Sequence, residues 1–258
     1  MTLQVCSHAA TSPLKLIDAT EVRADLANRR EVKYAIQGMD VGKLQRLLEI
    51  NCDRQVHGNP LHANTVSEVR SIYFDDAKLS ACRANLDGHG VRRKLRLRWY
   101  DSLLPNHTFF VEVKWRNSRI TGKHRFEFQS AVPLSELSYS QIRRSLEQLM
   151  PPHLLKDVLT NYDAVVIVEY KREHFVTNDG LRITLDYDLT YYDQSGQSHI
   201  SARFPRHVEG LIVLEGKTPI GRESELRRWL YPLTPRATRC SKYVLGCQQI
   251  GRIMASEL

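Results

Sequence analysis

The sequence predicts an α+β fold in which about eight antiparallel strands close into a β-barrel, with flanking helices and a C-terminal closing helix. Three observations carry that expectation. Most of the chain reads as strand, and neighbouring strands are joined by short turns, which favours antiparallel pairing over β-α-β crossovers. Charged residues alternate with apolar ones on strand after strand. Several strands carry bulky groups on both faces, which fits a barrel covered outside by helices and filled inside by charge.

The elements follow in order. Residues 1–20 lack periodicity and are expected to form a flexible lead-in to a single domain over 21–258. REVKYAI (30–36) alternates as a strand. Asp40 is placed to cap a helix running to Ile50, with Leu44, Leu47 and Leu48 as its apolar stripe. VRSIYFDD (69–76) is a strand, followed by a short helix near 77–86 and the turn DGHG (87–90). RRKLRLRWYD (92–101), TFFVEVKWR (108–116) and KHRFEFQ (123–129) are strands, the last two a hairpin. Residues 135–160 read as helix broken at Pro151-Pro152. Strands resume at 164–176, 181–193 and 210–218, and helices at 223–230 and about 239–255 close the chain.

Composition narrows the partners. The 258 residues include 37 Lys and Arg against 29 Asp and Glu, a formal net charge of +8. The excess favours an anion, whether nucleic acid, an anionic membrane or phosphates. The basic residues are spread over strand faces and no recognition motif is present, so specific nucleic-acid binding is the weakest of these. The five cysteines (6, 52, 82, 240 and 247) show no zinc spacing and read as reduced thiols. The start of the sequence lacks the pattern of a signal peptide. No segment approaches the ~20 apolar residues that span a bilayer. The expected location is the cytoplasm, with any membrane association supplied by a separate membrane-protein partner.

Residues two apart share a strand face. Glu31 and Lys33 therefore share one, as do Lys94, Arg96 and Arg98, Glu112 and Lys114, and Lys123, Arg125 and Glu127. Tyr170 and Arg172 share a face, then Arg182, Thr184 and Asp186, then Glu215 and Lys217. For any one strand a solvated outer face explains this equally well. For the set, the mixed charges and the repeated Glu-x-Lys at 31/33, 112/114 and 215/217 favour an interior. Arg and Lys suit phosphate. Glutamates among them suit a divalent cation bridging carboxylate and phosphate. Asp186 and Asp188 are expected on one face beside Arg182, as a metal pair or a salt bridge. Trp99 and Trp115 are expected to pack outside, under helices, and Cys240 and Cys247 to lie on one helix as buried thiols.

The order of these motifs resembles the VTC domain of the triphosphate tunnel metalloenzymes. The matching residues are REVKY (30–34), SIYFDD (71–76), RKLRLRWY (93–100), FVEVK (110–114), KHRFEF (123–128), EYKREHF (169–175), LRITLD (181–186), LIVLEGK (211–217) and CSKYVLG (240–246). The resemblance implies a metal-dependent polymerase that transfers the γ-phosphate of ATP to inorganic polyphosphate, with Mn²⁺ or Mg²⁺ as cofactor. It implies that Lys33, Arg83, Arg96, Arg98, Lys114 and Lys123 contact phosphate, joined by Tyr170, Arg172 and Arg182 and by Ser241 and Lys242 on the closing helix. Arg239 stands where the family usually carries Lys. Glu215 resembles the metal-binding glutamate. Strand parity adds Arg125 and Lys217 as substrate contacts and Glu31 as a second metal candidate.

Two rivals stay open. Tunnel triphosphatases typically open with Glu-x-Glu-x-Lys, and here Arg29 replaces the first Glu, which favours the polymerase. A non-catalytic module binding polyphosphate or nucleotide fits the same basic faces.

Overall fold

The computed structural model describes residues 12–20, 29–56, 64–118, 120–230 and 237–254. The strands are β1 (Leu14–Thr20), β2 (Arg29–Gln37), β3 (Cys52–Gln55), β4 (Val66–Asp75), β5 (Val91–Tyr100), β6 (Thr108–Asn117), β7 (Ile120–Ser130), β8 (Asp163–Thr177), β9 (Arg182–Asp193), β10 (Arg206–Val208) and β11 (Leu211–Pro219). The helices among the described residues are α1 (Val41–Glu49), α2 (Ser80–Leu86), α3 (Tyr139–Leu149), α4 (Pro152–Thr160), α5 (Glu223–Leu230) and α6 (Lys242–Gln249), with a 3₁₀ turn at Leu134–Glu136.

The strands form one antiparallel sheet in the order β1-β7-β6-β5-β4-β8-β9-β11-β2, with β10 on β9 and β3 on β8. Among the described residues no backbone ladder joins the two ends of the sheet, so the expected barrel is not closed by hydrogen bonds there. β1 occupies the free edge of β7 from Arg125 to Ser130, where a closing strand would otherwise pair. The sheet is nonetheless strongly rolled. Parts of β2 and β7 approach within 8 Å between Cα atoms, and Lys114 on β6 reaches Glu31 on β2 at 2.8 Å. Side chains, not hydrogen-bonded backbone, bridge the ends.

Residues 14–20 were expected within a loose lead-in. They form β1 instead, with Leu14 buried and a register shift between Leu16 and Asp18. That bulge interrupts the alternation a sequence reading depends on. The closing helix is shorter than the expected 239–255, because Ser241 caps its start and Gly251, at φ 76°, turns the chain after its end. Asp40 does cap α1, its carboxylate accepting from Lys43 N–H at 2.7 Å.

Apolar side chains bury the outer face of the roll. Leu95, Leu97, Trp99, Val111, Val113, Phe126 and Phe128 pack with Ile142 and Leu146 of α3 and Leu154 and Val158 of α4. Tyr34, Ile36, Ile183, Leu185 and Leu214 pack with Leu44 and Leu48 of α1 and Leu226 of α5. Gly216 lets α5 come this close: a Cβ there would lie 2.6 Å from Leu226 Cδ1 and 2.7 Å from Cδ2. Gly216→Ala is therefore expected to cost about 1–3 kcal/mol through overpacking. Urea denaturation checks it.

Candidate functional site

The alternation read from the sequence points inward. In β5, Leu95, Leu97 and Trp99 are in the outer core, while Lys94, Arg96 and Arg98 face the concave side. Register places Arg96 opposite Tyr73 and Arg98 opposite Ser71 on β4. Arg96 donates to Tyr73 Oη at 2.8 Å, and Arg98 donates to Ser71 Oγ at 3.0 Å and Tyr170 Oη at 3.3 Å. On the other flank of β5, register aligns Lys94 with Lys114 and Lys114 with Lys123.

Four carboxylates sit among these cations. Glu112 is fully buried and accepts from Arg96 at 2.7 Å, Lys123 at 3.0 Å and Arg125 at 3.1 Å, with Arg98 at 3.8 Å. Burial alone would raise its carboxyl, but those four cations hold it well below the usual range. Asp186, also fully buried, takes both arms of Arg172 at 2.5 and 2.6 Å and Lys242 at 2.5 Å. Glu215 pairs with Lys33 at 3.0 Å and Lys217 at 3.1 Å. Glu31 pairs with Lys114 and is lowered to about 2: burial and Glu215 raise it, and Lys114, Lys33 and Lys217 outweigh them. Lys123 is pushed down to about 7, because burial and the neighbouring Arg98 and Arg96 outweigh Glu112.

Helix α6 lies over one end of the concave face. Its Tyr243 stacks on Tyr73 at 4.8 Å, Lys242 sits 4.8 Å over the Tyr170 ring, and Gly246 leaves room for Tyr191. Tyr243 Oη donates to Asp75 Oδ2 at 2.7 Å, and Asp75 also accepts the N–H groups of Ala81 and Cys82 at the start of α2. One buried carboxylate thus ties β4, α2 and α6 together. Tyr243→Phe should cost about 1.5–3 kcal/mol, the scale of a hydrogen bond to a charged group. A lowered melting temperature checks it.

The expected site residues divide into two groups. Lys33, Arg96, Arg98, Lys114, Lys123, Arg125, Tyr170, Arg172, Lys217, Ser241 and Lys242 meet on the concave side, with Glu31 and Glu215. Three residues are exposed. Arg83 is on the exposed side of α2, lining a cleft with Lys78, Ser80, Asp87 and His89. Arg239 is exposed beside Gly88. Arg182 is exposed at the start of β9, opposite Lys217 in register.

Asp186 and Asp188 do not share a face. The ladder slips between Glu169 and Lys171, Asp188 takes φ 53°, and its side chain turns out to Lys171 at 2.9 Å. The salt-bridge alternative holds for Asp186. Trp99 packs outside as expected, while Cys240 precedes the helix cap and only Cys247 is on α6. Lys94 and Glu112 were visible by parity but were not expected as site residues, and the Tyr243–Asp75 anchor joins residues too distant in sequence to be read together.

Among the described residues no group of three or more His, Cys, Asp or Glu converges as a metal site. The residues nearest to one are Glu215 and Glu31, with Thr184 opposite Glu215 in register. Thr184 Oγ1 is buried and has no hydrogen-bond partner among the described residues. Two carboxylates and an unsatisfied hydroxyl fit a cation completed by phosphate oxygens, the usual manner of Mg²⁺.

Cations outnumber carboxylates on the concave face of this antiparallel roll. The family model "VTC domain" matches residues 28–250, and the chain belongs to that family. No curated protein matches it. Solved structures with some likeness include the PH1819 protein from Pyrococcus horikoshii OT3, at TM-score 0.45 and 13% identity over 84% of this chain and 97% of that one. Another is the inorganic triphosphatase NE1496, at TM-score 0.32 and 12% identity over 84% of this chain and 93% of that one.

Proposed function

We propose that the protein is a metal-dependent polyphosphate polymerase that transfers the γ-phosphate of ATP to a growing inorganic polyphosphate chain and releases ADP. The observation that supports this reading best is the concave face itself: Arg96, Arg98, Lys114, Lys123, Arg172 and Lys242 converge there, with more positive charge than the buried carboxylates neutralise. Membership of the VTC family supports the choice of reaction.

The chemistry asks little covalent work of the protein. A terminal phosphate oxygen of the polymer attacks Pγ of ATP, the bond from Pγ to the β,γ-bridging oxygen breaks, and ADP leaves. The attacking oxygen is already ionised, so no general base is needed. Positioning and charge neutralisation dominate phosphoryl transfer. Arg96, Arg98 and Arg172 offer planar forks for non-bridging oxygens, and Lys114, Lys123 and Lys242 offer point charges. Glu215 and Glu31 would hold a divalent cation, Mn²⁺ or Mg²⁺. Such a cation neutralises charge on the reacting phosphates. The proposed setting is the cytoplasm. No helix among the described residues is long and apolar enough to cross a membrane, and a separate membrane protein would supply any anchoring.

The test is incubation with ATP and Mn²⁺ or Mg²⁺ while ADP, free phosphate and long-chain polyphosphate are followed together. ADP and polymer in matching amounts support the reading. Free phosphate without polymer makes the protein a hydrolase. Absence of turnover with retained polyphosphate binding makes it a binding module.

A further inference from the structure

We propose that Lys94 and Ser241 form a separate phosphate-binding position at the α6 end of the concave face, in which Lys94 is the charged ligand. The inference rests on the reading of that face as a polyphosphate site and adds a residue to it.

Lys94 differs from its neighbours in what it touches. Lys33, Lys114, Lys123, Lys217 and Lys242 each have a carboxylate at hydrogen-bonding distance. Lys94 has none among the described residues; its ammonium donates to the neutral Ser241 Oγ at 3.0 Å and sits 5.8 Å over the Tyr243 ring. The charged groups facing it are cations: Lys114 on β6, Lys33 on β2 and Arg92 on its own strand, with the Cys82 thiol behind it on α2. Burial, then those three cations, push its ammonium well below the usual lysine range.

A fold gains nothing from gathering cations around a half-buried lysine that has no carboxylate of its own, because like charges in a low-dielectric setting repel. An entering phosphate removes the conflict. It supplies the missing negative charge to Lys94, while Ser241, anchored as the α6 cap, offers its hydroxyl. An entering phosphate therefore shifts Lys94 back toward the ammonium. Binding then draws a proton onto Lys94 in the pH range between the two states.

Calorimetry with inorganic tripolyphosphate at pH 8, repeated in buffers of different ionisation enthalpy, counts the protons taken up. The wild type is compared with Lys94→Met and Lys94→Arg. Lys94→Met should bind about tenfold more weakly, the scale of one charge-assisted hydrogen bond. Lys94→Arg should retain most of the affinity but take up fewer protons than the wild type, because arginine is charged throughout. Lys123 also titrates near this range, but it is common to all three proteins, so the difference belongs to position 94. Unchanged affinity in Lys94→Met, or unchanged proton uptake in Lys94→Arg, overturns the inference. If Lys94→Met fails to fold, proton uptake by Lys94→Arg decides. No tripolyphosphate binding by the wild type overturns the reading of the whole face instead.

Discussion

Glu112→Gln should cost the ligand-free protein about 3 kcal/mol of stability, and tripolyphosphate should restore much of it. Glu112 is the buried hub for Arg96, Arg98, Lys123 and Arg125. Removing one partner of a buried ionic cluster costs roughly 3–5 kcal/mol, because the remaining charges stay uncompensated. The lower end applies here, since Lys123 and Arg125 are 25% and 29% exposed and water screens them in part. A ligand at about 100 times its dissociation constant stabilises the folded state by about 2.7 kcal/mol. In the variant the freed cations face the ligand without competition, so tripolyphosphate should stabilise it more than it does the wild type. Urea denaturation with and without the anion measures both quantities. Equal ligand stabilisation in the two proteins would mean that these cations do not meet phosphate. The same carboxylate gives an acid limb. Its folded value is depressed, so its contribution is present above the unfolded value of about 4.5 and is lost as pH falls through the folded one. The variant should lack that part of the wild-type acid transition.

On the proposed reading, Glu215→Gln should lower polymer synthesis about 10²–10³-fold while leaving polyphosphate binding intact or stronger. Glu215 neutralises Lys33 and Lys217 and stands near Glu31 and the unsatisfied Thr184 hydroxyl. Losing its charge frees two lysines for phosphate and removes a ligand from the candidate cation position. Loss of one group that stabilises transition-state charge lowers turnover about 10²–10³-fold. ADP release at saturating Mn²⁺ reports the first effect, and calorimetry with polyphosphate the second. Equal loss of binding and turnover would make Glu215 a structural residue.

The faces that build this site were legible because strand periodicity is local. Lys94, Arg96 and Arg98 on one side and Leu95, Leu97 and Trp99 on the other follow from adjacent residues alone. What lay beyond the sequence was pairing. Glu112 was grouped only with Lys114, but register across β5–β6–β7 brings it Arg96 and Arg125. The bulge that turns Asp188 outward depends on a ladder slip that no spacing reveals. Whether the sheet closes was equally hidden, because the answer lies in β1 taking the edge of β7. Of the residues named by family resemblance without parity, Arg83 and Arg239 lie exposed, while Ser241 and Lys242 reach Lys94 and Asp186 on the concave side.

On the proposed reading the concave face, not the outer surface, holds the phosphate chain. A crystal structure of the protein with tripolyphosphate decides this. Phosphates should lie along the interior, within hydrogen-bonding distance of Arg96, Arg98, Lys114 and Arg172. Tripolyphosphate bound instead in the outer cleft of Lys78, Arg83 and His89, with the interior ion pairs unchanged, would contradict it.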